Sequence, residues 1–380
     1  MPRGVAGGGP KPNLNLETFD SKQVSGHVKP GTKVEARNVS RSTGDAFVRA
    51  GADGHFEMKI ASRKGDTLEL QLQAPQQGGP TSVFVRNEGK NAWSTVAPPS
   101  FDGDGMDVDL PMPEPTDEHM DVDGEATYDV AHLEGSLFID GVKVEDVQQG
   151  KINNCYFACG LSLLAHYRPE AIQDAIRVLP DGNFEVTLLE GKYRPQPVKV
   201  TVNSDLFVDE DGEPVYTHSE SGELWPMILE KAYAEHKGYG SYENIGQGGK
   251  AGDVVRAFTG EPYMMLQTEE ARSHDEIFET IREAIDNGRP ASAGTHSDKG
   301  RYEGINLYAN HNYAVLGAGH DEETGEPYLV LRNPWGQSEP DYHGAQDGVD
   351  DGIFKINMED FSNYFMTYSV ITEGGRRRGG

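Results

Sequence analysis

Cysteine is nearly absent from this 380-residue chain: Cys155 and Cys159 are the only two. Two reduced thiols exclude a disulfide framework and a four-thiolate zinc site. Basic residues are also scarce. There are 34 Lys and Arg against 62 Asp and Glu, a net charge of −28. Binding to phosphate needs basic surface, so nucleic acid and anionic membrane are not expected partners. The charge suits solubility and carboxylate-bound divalent cations, although most of it reads as a solvated surface. No apolar run approaches the length of a membrane span. Met1-Pro2-Arg3-Gly4-Val5-Ala6-Gly7 lacks the apolar core of a signal peptide. A cytoplasmic protein, or one secreted without a signal peptide, is expected. The hydrophobic fraction of 36% is low for one compact unit, so some segments should lie outside the core.

Those segments are visible along the chain. Residues 1–20 are rich in Gly, Pro and Asn and read as flexible. Residues 21–96 read as all-β. In His55-Phe56-Glu57-Met58-Lys59-Ile60 and Leu68-Glu69-Leu70-Gln71-Leu72 apolar and polar residues alternate. Further short strands are expected over 24–28, 33–39 and 82–85, with turns at Lys29-Pro30-Gly31 and Ala52-Asp53-Gly54. The pattern resembles a small immunoglobulin-like sandwich. Residues 97–127 are acidic and proline-containing, with ten Asp or Glu and no Lys or Arg between Phe101 and Glu125. They read as a disordered spacer.

Residues 128–373 mix helical and strand signals. A helix is expected from Cys155 to about Tyr167, capped by Asn154, with Ala158, Leu161, Leu164 and Ala165 at helical spacing. Another is expected over 223–237. A third, over 275–287, opens with a Ser273–Glu276 capping box. Strands follow at 312–316, 328–332 and 366–371. Residues 374–380 read as a flexible tail.

The chemistry concentrates in three places. Cys155 stands at the helix start, where the partial positive charge of a helix N-terminus favours a thiolate. A free cysteine is usually a buried structural residue, and Cys159, one turn deeper, is read that way. Six residues before Cys155, Gln149 is placed to donate to an oxyanion together with the Cys155 N–H. His311 begins the strand His311-Asn312-Tyr313-Ala314-Val315, a rigid element from which a ring reaches a cleft; His166, His296 and His320 are its competitors. Asn333, in Arg332-Asn333-Pro334-Trp335-Gly336, is placed to accept from the imidazole and fix its tautomer. Trp335 is placed to cover that bond.

From about Ser136 to Thr372 the chain resembles the calpain-type cysteine protease core. The likeness rests on Gln149-Gly150 with Cys155-Tyr156, on Glu223-Leu224-Trp225 with Leu229-Glu230-Lys231-Ala232-Tyr233-Ala234, on His311 with Tyr313 and Val315, and on Arg332-Asn333-Pro334-Trp335-Gly336. The resemblance implies an α+β, two-lobed papain-like core with the cleft between its lobes, preceded here by an all-β, immunoglobulin-like domain. It implies a cysteine endopeptidase that makes limited cuts in protein substrates, often with calcium in each lobe. Family calcium ligands match Ile139 and Gly141 (by backbone carbonyls), Asp146 and Glu243 in the first lobe, and Glu339 and Asp351 in the second. Ile353 replaces an acidic ligand, and Asn310 replaces the glycine usual before the histidine. Two other readings stay open at this point. One is a non-catalytic calcium-responsive binding protein on the same scaffold, and the other an acyltransferase using the same Cys–His–Asn centre. An accessory β module without a signal peptide also fits a delivered bacterial effector.

Overall fold

The computed structural model describes residues 15–16, 23–38, 43–59, 67–73, 81–89, 92–96, 110, 112–120, 126–139, 141–179, 181–191, 194–340, 345 and 348–372. The chain divides into two compact units, Met1–Asp107 with Arg177–Asn183, and Val108–Ile176 with Phe184–Gly380. The expected tail at 374–380 and most of the expected flexible N-terminus lie outside the described residues.

The first unit is built of antiparallel strands. One sheet has the order Asn15–Leu16, Gln23–His27, His55–Lys59. The other runs Thr43–Arg49, Lys33–Asn38, Thr67–Gln73, Thr81–Gly89, Ala92–Val96. Alternation places side chains on opposite faces, so Phe56 and Met58 are buried while Glu57 and Lys59 are exposed. Val24, Phe56 and Met58 of one sheet share an apolar core with Val34, Ala36, Leu68, Leu70, Leu72 and Val85 of the other.

The second unit is organised around the helix Cys155–Tyr167, whose first eleven residues are all buried. A helix enclosed on every side must be apolar all round, and this one packs on the helix Ala251–Thr259 and on the strand Asn312–His320. Gly160 permits the first contact, since a Cβ there would lie 2.5 Å from Val254 Cβ. On one side of this helix lie a hairpin, Phe184–Glu190 with Gln196–Val202, the strand pair Asp129–His132 and Asp205–Val208, and the helix Trp225–His236. This lobe is richer in strand than expected. On the other side is a six-stranded antiparallel sheet in the order Tyr263–Gln267, Phe365–Ile371, Ala291–Thr295, Asn312–His320, Pro327–Arg332, Ile353–Asn357. Ile277, Phe278 and Ile281 of the helix His274–Asp286 join Tyr313, Val315, Leu329, Leu331 and Phe354 in its core. Ser273 caps that helix by accepting from Glu276 N. Glu276, however, accepts from Arg272 N rather than closing the box on Ser273.

Two expectations are corrected. Asn154 occupies the N-cap position but its side chain does not cap. Its amide donates instead to the buried carboxylate of Glu230, 2.7 Å away. Part of the acidic stretch is also ordered. Glu114 pairs with Ser241 in an isolated parallel bridge, donating to Gly240 O and accepting from Tyr242 N. Pro113, Pro115 and Thr116 are buried. Thr116 N donates to the Tyr216 hydroxyl, and Asp117 N to Glu243. Proline pre-sets an extended backbone, and that backbone here finds a partner strand.

Candidate active site

A cleft of about 1130 Å³ is lined by Gln149, Cys155, Asn310, His311, Asn312 and Trp335 among others. Its parts come from three folding events. The first is the helix start at Cys155. The second is the entry to the strand Asn312–His320, where His311 stands just before the first strand residue: Thr295 Oγ1 accepts from His311 N at 2.9 Å and donates to Tyr308 O at 2.7 Å, fixing the backbone before the ring. The third is the end of the neighbouring strand, where Asn333 N donates to Gly352 O at 2.8 Å.

His311 and Asn333 are joined by a bond of 2.9 Å between Nε2 and Oδ1. Asn333 is fully buried, and its Nδ2 donates to Ser338 O. An amide oxygen only accepts, so the ring carries its proton on Nε2 and presents Nδ1 as the free base. Trp335 lies over the ring at 4.8 Å between centroids, and Tyr313 meets it edge-on at 5.0 Å. Such covering keeps water from the His–Asn bond. Burial lowers the His311 pKa to about 4, opposed by the Asn333 bond. Burial also pushes the Cys155 thiol up. Both shifts favour the uncharged forms. Among the described residues the sulfur bonds not with the ring but with residues on either side of it, Asn310 O at 3.9 Å and the Asn312 amide at 3.7 Å.

Gln149 lines the cleft, whereas Gln148 pairs with His218 through both backbone groups. Gln149 N donates to Pro334 O at 2.9 Å, which joins the glutamine loop to the Asn333 turn. Its Nε2 donates to Ile152 O at 2.6 Å, and its Oε1 is buried without a hydrogen-bond partner among the described residues. The loop lies tight against its neighbour. A Cβ on Gly150 would stand 2.2 Å from Tyr216 O and 2.3 Å from Val215 O. Gly150→Ala is therefore expected to displace the loop and lower stability by about 1–3 kcal/mol. A denaturant melt measures the loss, and a peptide assay should show reduced kcat.

Sequence reasoning gave no role to three residues that hold this arrangement. Arg332, buried at 1% exposure, donates to Ser162 Oγ at 3.0 Å and to Val147 O at 2.8 Å. It thus ties the strand before Asn333 to the Cys155 helix and to the chain entering the Gln149 loop. Glu230 accepts from Asn154, Thr217 N and the Thr217 hydroxyl, and burial raises its pKa to about 7. Asn312 touches the sulfur. All three lie in quoted segments, but their neighbours are distant in sequence, and only folding reveals them.

Glu339, buried, accepts from Asp351 N at 3.2 Å, so that pair is brought together. In the first lobe Asp146 turns back on Lys143 N at 2.8 Å, and Glu243 accepts from Asp117 N at 3.1 Å. Ile139 is 43% exposed, and its N–H donates to Glu223. Calcium takes six to eight oxygens. No group of three or more His, Cys, Asp or Glu suited to a metal occurs among the described residues.

Comparison with known proteins agrees with this geometry. Residues 128–372 match the family described as calpain family cysteine protease. The chain is 30% identical over 218 residues to the calpain-1 catalytic subunit of Mus musculus, covering 53% of this chain and 29% of that protein. It is 25% identical over 298 residues to calpain-5 of Caenorhabditis elegans, covering 63% and 45%. It is 24% identical over 393 residues to calpain-type cysteine protease ADL1 of Oryza sativa subsp. japonica, covering 94% and 17%. The chain thus spans less than half the length of these relatives. With the family matched over most of its length, the chain belongs to the calpain family of cysteine proteases.

Proposed function

We propose that this protein is a cysteine endopeptidase that makes limited cuts in protein substrates through a thioester. The observation that supports this most is the His311–Asn333 bond in the same cleft as the Cys155 sulfur. Cys155 gives its proton to Nδ1 of His311, and the sulfur adds to the substrate carbonyl carbon. As the C–S bond forms, the carbonyl π pair moves to oxygen. The free N–H of Gln149 Nε2 and the Cys155 N–H hold that oxyanion. The C–N bond then breaks, and the Nδ1 proton leaves with the amine. Water gives a proton to Nδ1 and its oxygen to the thioester; the acid departs and the sulfur recovers its proton. Asn333 positions His311, and Trp335 shields the pair.

The N-terminal strands are read as a small immunoglobulin-like sandwich that positions substrate. Glu339 and Asp351 are read as holders of calcium, a charge that would steady the turn after Trp335. Casein incubated with the purified chain, in calcium or in chelator, followed by terminal sequencing of the fragments, tests both readings. Discrete fragments, more abundant in calcium, are expected. No fragments in either condition would contradict the protease reading, and equal yields would contradict the calcium reading.

A further inference from the structure

We propose that Asn312 is a further catalytic residue, whose side-chain amide holds the Cys155 sulfur and stabilises its thiolate; this rests on the protease reading above. Asn312 Nδ2 lies 3.7 Å from Sγ. It is the one side-chain donor to the sulfur among the described residues. The position is built for the contact. Asn312 is the first residue of its strand and pairs across it with Gly294. Gly294 also lines the cleft and has no side chain to compete for the space. On the other side of His311, Asn310 has a left-handed backbone, φ 53°, and its carbonyl accepts from the thiol. The sulfur is thus held between an acceptor suited to the S–H form and a donor suited to the S⁻ form.

The surroundings give that donor weight. Among the described residues His311 lines the cleft with the sulfur, and Tyr156, Cys159 and Tyr313 couple to it electrostatically. Burial holds the ring neutral and the other three protonated. When the thiol gives its proton to His311, neutral dipoles beside the sulfur add to the stabilisation of the thiolate. Asn312, through its side chain and backbone, and Tyr156 N at the helix start supply them. A hydrogen bond to the charged form favours that form.

The test is the pH dependence of Cys155 alkylation by iodoacetamide in the full chain, with peptide mapping to separate it from the fully buried Cys159. Asn312→Ala is expected to move the alkylation midpoint up by about one pH unit and to slow the neutral-pH rate about tenfold. Asn312→Asp keeps the shape but puts a carboxylate beside the sulfur, and should move the midpoint further up. It also decides the matter should the alanine variant fail to fold. Wild-type midpoints in folded variants would overturn the proposal, because a merely structural role leaves the thiol titration in place. Casein cleavage by the same preparations separates the two readings. A wild type that cuts casein with an Asn312-independent midpoint defeats the inference alone. One that does not cut, but whose midpoint depends on Asn312, defeats the protease reading alone.

Discussion

Cys155→Ala should reduce casein cleavage to the rate of casein in buffer. Loss of a nucleophile of this kind costs on the order of 10⁶-fold in kcat. The fold should survive, since the change removes one sulfur from a helix otherwise packed on every face. His311→Ala should cost nearly as much, because without Nδ1 nothing accepts the thiol proton or protonates the leaving amine. The double variant should be no worse than either single one, since residues acting as a unit do not add. Progress curves for the three variants, with thermal melts of each, provide the check. Cleavage by Cys155→Ala at wild-type rate would place the chemistry elsewhere.

Gln149→Ala should lower kcat about 100–1000-fold with little change in KM, the cost of removing one donor to a developing oxyanion. The geometry sharpens this expectation. One Nε2 hydrogen is held by Ile152 O, so the amide is fixed rather than a free rotor. Preorganised donors are worth more because they need no reorientation as charge develops. Gln149→Glu keeps the shape and removes both donors, so it should lose at least as much. Gln148→Ala serves as the control. Gln148 holds its place through backbone bonds with His218, and its substitution should leave kcat within a few-fold. Steady-state kinetics on a peptide substrate separate these outcomes; equal losses at both positions would remove Gln149 from the oxyanion role.

The sequence was most readable where local and tertiary demands agree. The Cys155 helix runs to Tyr167 as the apolar spacing requires, because the same residues that favour the helix also fill the core around it. The His311 and Asn333 strands were legible for the same reason. Asn154 misled because a residue with good capping chemistry met a buried carboxylate. Glu230 must satisfy its oxygens away from water, and the Asn154 amide joins the two Thr217 donors in doing so. The acidic stretch misled because net charge says little about a few residues that pack. Pro113, Pro115 and Thr116 are buried among neighbours whose charges face outward. The strand Phe184–Glu190 alternates buried and partly exposed positions in the manner of a half-buried strand, a signal present in the sequence but lost beside the stronger helical ones. The contacts of Arg332 and Asn312 had no local signal. They exist because segments more than 150 residues apart meet at the sulfur and at Ser162.

The account turns on one covalent bond, and acid-quenched mass spectrometry of the full chain turning over a slow ester substrate reads it directly. The predicted result is the acyl mass on the peptide carrying Cys155, absent in Cys155→Ala and forming far more slowly in His311→Ala. The acyl group on any other residue, or steady hydrolysis by Cys155→Ala, would contradict it.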